Sequence, residues 1–498
     1  MVKIGFIYPG YENLGIEYLS ANLKKNGFET KLFLDPILFM ESGFINNKAL
    51  AEVFSFRKYL LQEILTYRPD LICFSVITDN YLWACNWAQE ISQHINAPIV
   101  FGGIHPTSVP ERVIEESFVD YICIGEGDIA LIELAEAIRD KKPTTHILNV
   151  WSKVNGSVIK NKIRPLISNL DTLPFPDKDI YYQTYPVFRD GYLASTSRGC
   201  PFECSYCCNN VYHSLYKDSG KVIRRRSIDN VIEELELVKN KYKPAFIHFV
   251  DDVFNFDTDW LSAFLTKYEK KVRLPFSCYV YPDLIDDAVA KRLKETGCFK
   301  IQMGLQVIDD NKRKIVLKRS SKQDNIAKAI DSFKKAKIYV TCDNIFGFPD
   351  ETEEECLSLC YFYNEHTPDH CENFWLRYYP KTEITEWAIS RNYIDAEKKE
   401  EIERGKFSFG LFRRPEHLKE KPYTRRFIFF LTLYPFLHKS LRSLVLKNKL
   451  YRFFPPTSSI FLYILARLFN HPKYDFNTLR TIRRYFYLCA KKCKMAWQ

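Results

Sequence analysis

The last stretch of this 498-residue chain has almost no acid. From Lys421 onward, sixteen Lys and Arg stand against the lone Asp475, so the tail carries roughly +15 of charge. The whole chain is +10, which leaves the rest near −5. The basic character therefore belongs to the tail and says nothing about partners of the rest. The tail also lacks a long hydrophobic run. Residues 427–437 and 460–469 are very apolar, but each falls short of the about 18 residues that a membrane span needs. The opening, Met1 to Gly10, reads as a buried strand and a loop and is not expected to be a signal peptide. The fifteen cysteines are therefore expected to be reduced, in a cytoplasmic setting, rather than paired in disulfides. There is no internal repeat and no low-complexity tract. A hydrophobic content of 46% is ample for large cores in about two to four domains.

What is present begins as alternating strands and helices. Residues 3–8, 28–34, 71–76, 99–101 and 121–124 form short apolar runs, and residues 14–23 are apolar at helical spacing, closed by Asn26-Gly27. This alternation predicts a parallel sheet with helices on both faces, and ligands on such sheets bind beyond the carboxyl ends of the strands. Small and polar residues cluster there: Ser75 and Thr78, Gly102-Gly103, and Gly125-Glu126-Gly127. Glycines permit close backbone approach. Residues 146–190, with Pro165, Pro174, Pro176 and Pro186, read as a connecting segment. From residue 191, further strand–helix units follow, with strands at 193–197, 246–250, 276–280, 300–306 and 338–347.

The most specific feature follows the first of those later strands. Cys200, Cys204 and Cys207 stand at C-x3-C-x2-C spacing, with Tyr206 before the last. Thiolates are soft ligands that suit iron–sulfur clusters. Three thiolates from one loop leave one iron of a cubane open for a small chelating molecule. The rival readings are three buried cysteines or a zinc site. Zinc calls for four ligands, typically with a second Cys or His pair at set spacing, and the adjacent Cys208 is a poor fourth.

The cysteine loop resembles the signature of the radical S-adenosylmethionine superfamily. Residues 101–107 and 119–127 resemble the cobalamin-binding domain that precedes many such modules, and Phe348-Pro349-Asp350-Glu351-Thr352 is close to a further motif of the barrel. The resemblance covers roughly residues 1–390. It implies an α/β chain in four parts: a Rossmann-like cobalamin domain over 1–145, a linker over 146–190, a partial (β/α)6 barrel over 191–390, and a basic, apolar helical extension over 391–498. The implied cofactors are a [4Fe–4S] cluster on Cys200, Cys204 and Cys207, S-adenosylmethionine on its open iron, and cobalamin. S-adenosylmethionine would meet Tyr206, Asp251, Asp252, Gln306, Arg319, Asn344 and Gly347. Cobalamin would meet Ser75, Thr78, Gly102, Gly103, Gly125, Glu126 and Gly127.

Several positions depart from the commoner pattern. Gln306 stands where a glutamate is usual, Tyr281 where an arginine is common, and Lys381 where a glycine closes many such barrels. The loop from Pro9 to Ser20 has no histidine, so cobalamin is expected without a histidine ligand from it, and His105 reads as an ordinary loop residue. Arg319 has a plain alternative as a solvated charge at a helix end.

The implied activity is methyl transfer to an unactivated carbon of a small-molecule or lipid-like substrate, with an external electron donor such as a flavodoxin or ferredoxin. A 5′-deoxyadenosyl radical would remove the hydrogen and methylcobalamin would deliver the methyl group. The alternatives are an oxidative cyclase or ring-rearranging enzyme and, in another class, a cobalamin or cluster sensor. The tail reads either as a cap that meets a greasy substrate or lies on the inner face of a membrane, or as an extension packed on the barrel. No nucleic-acid-binding module is recognisable.

Overall fold

The computed structural model describes residues 1–39, 47–406, 421–455 and 476–496, with side chains 483–494 in the last stretch. The first sheet has seven strands: β1 (Lys3–Pro9), β2 (Glu29–Asp35), β3 (Leu71–Ser75), β4 (Ile99–Gly102), β5 (Tyr121–Cys123), β6 (Val150–Val154) and β7 (Ser157–Lys160). Their order is β2-β1-β3-β4-β5-β6-β7. The first five are parallel. Helices cover both faces, which is why β1, β3 and β4 read as continuous apolar runs rather than alternating ones. The helix Leu14–Lys25 starts at the carboxyl end of β1, where Asn13 caps it by accepting from the N–H of Ile16 at 3.1 Å.

The sheet runs on into the segment expected to be linker. β6 is antiparallel to β5, and β7 to β6. The β6–β7 turn is Asn155-Gly156, with φ of 49° and 77°. Positive φ at both central residues is the conformation that joins two strands tightly, and Asn-Gly is its strongest local signal. Residues 161–190 then pack onto this domain, burying Tyr181, Tyr182 and Phe188. Lys178 is buried between Glu12 and Glu17, at 3.1 and 2.6 Å.

The second domain opens with β8 (Tyr192–Ala194), followed by a short ribbon of β9 (Ser197–Arg198) against β10 (Arg224–Arg225). β11 (Ile247–Phe249), β12 (Phe276–Tyr279), β13 (Cys298–Gln306), β14 (Tyr339–Phe346) and β15 (His370–Trp375) complete a six-stranded parallel sheet with β8, in sequential order. This is the expected partial barrel.

The described parts of the extension are packed. The helix Pro422–Leu433 buries Phe427, Phe430 and Leu431 in the barrel's helical layer, and the Tyr434 hydroxyl donates to the Cys360 carbonyl at 2.7 Å. Much of the apolar run 427–437 is thus packed on the barrel, as the alternative reading of the tail expects, while Phe436 stays exposed. The last helix, Phe476–Ala496, lies on the first domain: Leu488 joins that core, and the Tyr485 hydroxyl accepts from the N–H of Phe39 at 2.5 Å. The run 460–469 lies outside the described residues. No described helix is long and apolar enough to cross a membrane.

Leu488 is 3% exposed, so Leu488→Ala should destabilise the protein by about 2–4 kcal/mol through the cavity it leaves. Denaturant unfolding checks this. An unchanged midpoint would contradict the docking of the last helix.

Candidate functional site

The cysteine loop is fixed from both sides. Asp251, just past β11, accepts from the Thr196 N–H at 2.9 Å, from the Thr196 hydroxyl at 2.8 Å and from the Ser197 hydroxyl. At Gly199, φ is +82° and a Cβ would lie 2.4 Å from the Val222 carbonyl, so only glycine fits the turn. Further on, the Ser205 N–H donates to the Leu317 carbonyl at 3.1 Å, and the Ser205 carbonyl accepts from Ile384 at 3.0 Å. Cys200 and Cys204 are buried, Cys207 is half-buried, Cys208 is exposed, and all four are free thiols.

Among the described residues, no group of three or more His, Cys, Asp or Glu converges as the ligands of one metal ion would. A cubane instead spreads its thiolates over different irons, and the loop suits it: three cysteines close enough to influence one another's ionisation, with no disulfide. Burial pushes the Cys200 thiol up to about 12 and raises Cys204. A hydrogen bond with Cys208 brings Cys207 down to about 7. Val253, Tyr281, Phe202 and Phe256 form an apolar wall beside Cys200, the kind of shell that limits water access to a metal centre.

The residues expected around S-adenosylmethionine divide. The guanidinium of Arg319 donates to the Gly304 carbonyl at 2.9 Å, lies 4.0 Å from the Cys204 sulfur, and sits 4.7 Å from the Tyr281 ring centroid. Tyr281 in turn stacks on Phe202 at 3.8 Å. Arg319 is thus a buried charge at the cluster loop, not a solvated helix end. Tyr206 packs against the barrel core, close to Arg319 and Cys204. Gln306 ends β13 with φ of 70° and folds over Gly304, where an added Cβ would lie 2.1 Å from its Nε2. Asp252 is exposed and acts electrostatically on Cys200 and Cys207, whereas Asp251 is occupied in holding the loop. Gly347 takes φ of 90°, and its N–H donates to Glu351 at 2.8 Å. Asn344 is turned to the outer layer, bonded to Asn373 at 3.0 Å and to the Tyr363 hydroxyl at 2.8 Å.

The two domains share one cavity of about 420 Å3, within the usual range for small-molecule sites. Six of the seven residues expected at cobalamin line it: Ser75, Gly102, Gly103, Gly125, Glu126 and Gly127. Thr78 does not, because it is buried against His105 at 3.1 Å. His105 is buried too, and burial lowers its pKa to about 3. Among the described residues, no histidine lines the cavity. The glycines are required by close approach: a Cβ at Gly103 would meet the Val76 carbonyl at 2.6 Å, and one at Gly125 the Tyr216 hydroxyl at 1.9 Å. The opposite wall comes from the second domain and includes Arg198, Gly199, Asn209 and Tyr212.

Charge ties the two walls together. Arg198 pairs with Asp128 at 2.8 and 3.0 Å and with Glu126 at 3.1 Å, while Arg224 pairs with Glu126 at 2.9 Å. The sequence reading missed Arg198, Arg224, Asp128 and Tyr216. Arg198 stands beside the cysteine motif, but no local pattern announces partners some seventy residues away.

The barrel interior is polar. Strand side chains alternate, and the outer set (Ile301, Met303, Val340, Cys342, Cys371) is buried under helices. The inner set includes His248, Ser277, Lys300, Gln302, Thr341, Asp343, His370 and Glu372.

A fold with a three-cysteine loop at the mouth of a partial barrel, facing a pocket on a Rossmann-like sheet, defines an iron–sulfur enzyme with a second, sheet-bound cofactor. Residues 194–360 match the radical SAM superfamily and residues 7–135 the B12 binding domain. The chain belongs to the cobalamin-binding radical S-adenosylmethionine enzymes, and its cofactors are a [4Fe–4S] cluster, S-adenosylmethionine and cobalamin. It is 29% identical over 339 residues to an uncharacterized methyltransferase of Pyrococcus horikoshii, spanning 66% of this chain and 72% of that one. It is 23% identical over 428 residues to the anaerobic magnesium-protoporphyrin IX monomethyl ester cyclase of Rubrivivax gelatinosus, spanning 80% and 71%. The structure of the radical S-adenosylmethionine methyltransferase TsrM from Kitasatospora setae, with cobalamin and a [4Fe–4S] cluster bound, has the same fold. The TM-score is 0.63 at 18% identity, covering 78% of each chain.

Replacing Cys200, Cys204 and Cys207 together by Ala should abolish the cluster of about four irons and four sulfides while cobalamin still binds. Cys208→Ala should keep the cluster. Iron and sulfide analysis with visible spectra checks both, and a cluster retained in the triple variant would sink the assignment.

Proposed function

We propose that the chain is a methyltransferase that adds a methyl group to an unactivated carbon of a small-molecule substrate held in the barrel. The observation that carries this reading is the shared cavity: the glycine-lined end of the sheet domain and Arg198-Gly199 of the cysteine loop are walls of one space. When bound, the cofactors supply a radical for removing hydrogen and a methyl group for replacing it, with reducing equivalents from an external donor such as a flavodoxin or ferredoxin. The chain's residues do the positioning. Arg198 and Arg224 hold the two walls in register through Glu126 and Asp128. Asp251 fixes the entry of the loop, and Phe202 and Tyr281 keep one side of it dry. No general acid or base is called for at the carbon that reacts.

The name of the Pyrococcus relative supports methyl transfer. An oxidative cyclisation is the second reading, favoured by the Rubrivivax relative, which spans more of the chain and is named a cyclase. Anaerobically reconstituted enzyme, supplied with S-adenosylmethionine carrying a deuterated methyl group and with candidate extracts, separates the two. Methyl transfer predicts a product with an intact trideuteromethyl group, and S-adenosylhomocysteine and 5′-deoxyadenosine in about equal amounts. A product that forms with 5′-deoxyadenosine and carries no label would overturn the reading in favour of the cyclase.

A further inference from the structure

The inner face of the barrel has a layered order. Parallel pairing places Lys300 opposite Tyr339 at the lowest level. Above it, Thr341 stands between Gln302 and His370. Above that, Asp343 stands between Gly304 and Glu372. The Gly304 carbonyl accepts from Arg319, which reaches the Cys204 sulfur, so the Asp343 level lies directly beneath the cluster loop's arginine. Asp343 and Glu372 are register partners on adjacent strands and project to the same side. Gln302 Nε2 donates to Asp343 Oδ1 at 2.9 Å. The Thr341 hydroxyl, fully buried on the same face, has no hydrogen-bond partner. A buried hydroxyl without a partner is costly, and so are two carboxyls side by side in a half-buried place. Nothing in the helical packing calls for either, because the outer face of the same strands is apolar.

We propose that Asp343, Glu372, Gln302 and Thr341 form the substrate's anchoring site and that the substrate carries a cationic nitrogen, a protonated amine or amidine, which seats between the two carboxylates. The geometry favours a cation over an anion, because the two acids occupy the level nearest the cluster loop, while Lys300 lies two levels below and His370, one level below, has its Nε2 3.5 Å from Glu372 Oε1. Burial, reinforced by the charge of Glu372, raises the Asp343 carboxyl to about 8, against the opposing pull of Gln302, Lys300 and Arg319. Free Asp343 therefore holds a proton near neutral pH, and an incoming ammonium releases it. The unbonded Thr341 hydroxyl accepts from the same nitrogen or from a polar group beside it. An anchor at this depth presents neighbouring carbons of the substrate to the cluster side of the barrel. This inference rests on the barrel being the reaction chamber, as the proposed function holds.

The test reads binding without turnover. Reconstituted holoenzyme saturated with S-adenosylmethionine is titrated calorimetrically at pH 7 with n-butylamine and agmatine, with 1-butanol as the neutral control, in two buffers of different ionisation enthalpy. The amines should bind at least about tenfold more tightly than the alcohol, with proton release. Asp343→Asn should weaken amine binding at least about tenfold and remove the proton release. Glu372→Gln provides the same test if the first variant fails to fold. Equal binding of amine and alcohol, no detectable amine binding, or amine binding that the folded variants leave unchanged would overturn the proposal. Because no methyl group moves, failure here leaves the methyltransferase reading standing, and failure of the labelling experiment leaves this result intact.

Discussion

The geometry of the site depends on one half-buried arginine. Arg198 lies between Ser197, which Asp251 holds, and Gly199-Cys200, where the cysteine loop begins. Its guanidinium reaches across the domain boundary to Asp128 through two hydrogen bonds and to Glu126 through one. Paired arginine–carboxylate bonds fix orientation as well as distance. Asp128 is only 5% exposed, and taking charges out of water is costly, so the pair is weak evidence for stability and better evidence for register. Removing Arg198 would leave Asp128 buried without its guanidinium, while Glu126 would keep Arg224. The cavity on the first domain and the cysteine loop are thus held side by side by this contact, with Arg224 on Glu126 beside it.

Around that contact the chain spends its core on two helical layers and leaves the barrel interior polar. The strands show this in their alternation: outward residues such as Ile301, Val340 and Cys371 are sealed, while inward ones such as Gln302, Asp343 and Glu372 are half-buried. A chamber lined this way is less stable than a filled one, which is the usual cost of a functional site. The extension offsets part of it. Its first described helix closes over the barrel's helices, and its last returns to the first domain, so the basic, apolar tail is structural where it is described.

Much of this was legible in the sequence, for physical reasons. Features fixed by local spacing were legible: three cysteines fall on one loop, the strands are parallel, and the glycines line the shared cavity. Features fixed by strand parity or by distant partners were not. Asn344 belongs to a strand end near the mouth, but its parity turns it to Tyr363. Thr78 lies one turn beyond Ser75 and is drawn under the sheet by His105. The β6–β7 hairpin was readable from Asn155-Gly156, but the prolines that follow it made the whole segment look like linker. Arg198 with Asp128 joins residues seventy apart, and no periodicity carries that information.

The central claim is that the corrinoid pocket and the cluster loop share one site through Arg198. Dipolar coupling between cob(II)alamin and the reduced cluster, measured by electron paramagnetic resonance in native enzyme and in Arg198→Ala, tests it most directly. The account predicts coupled spins in the native enzyme and a coupling that weakens and broadens in the variant. Uncoupled spins in the native enzyme, or identical coupling in the variant, would contradict it.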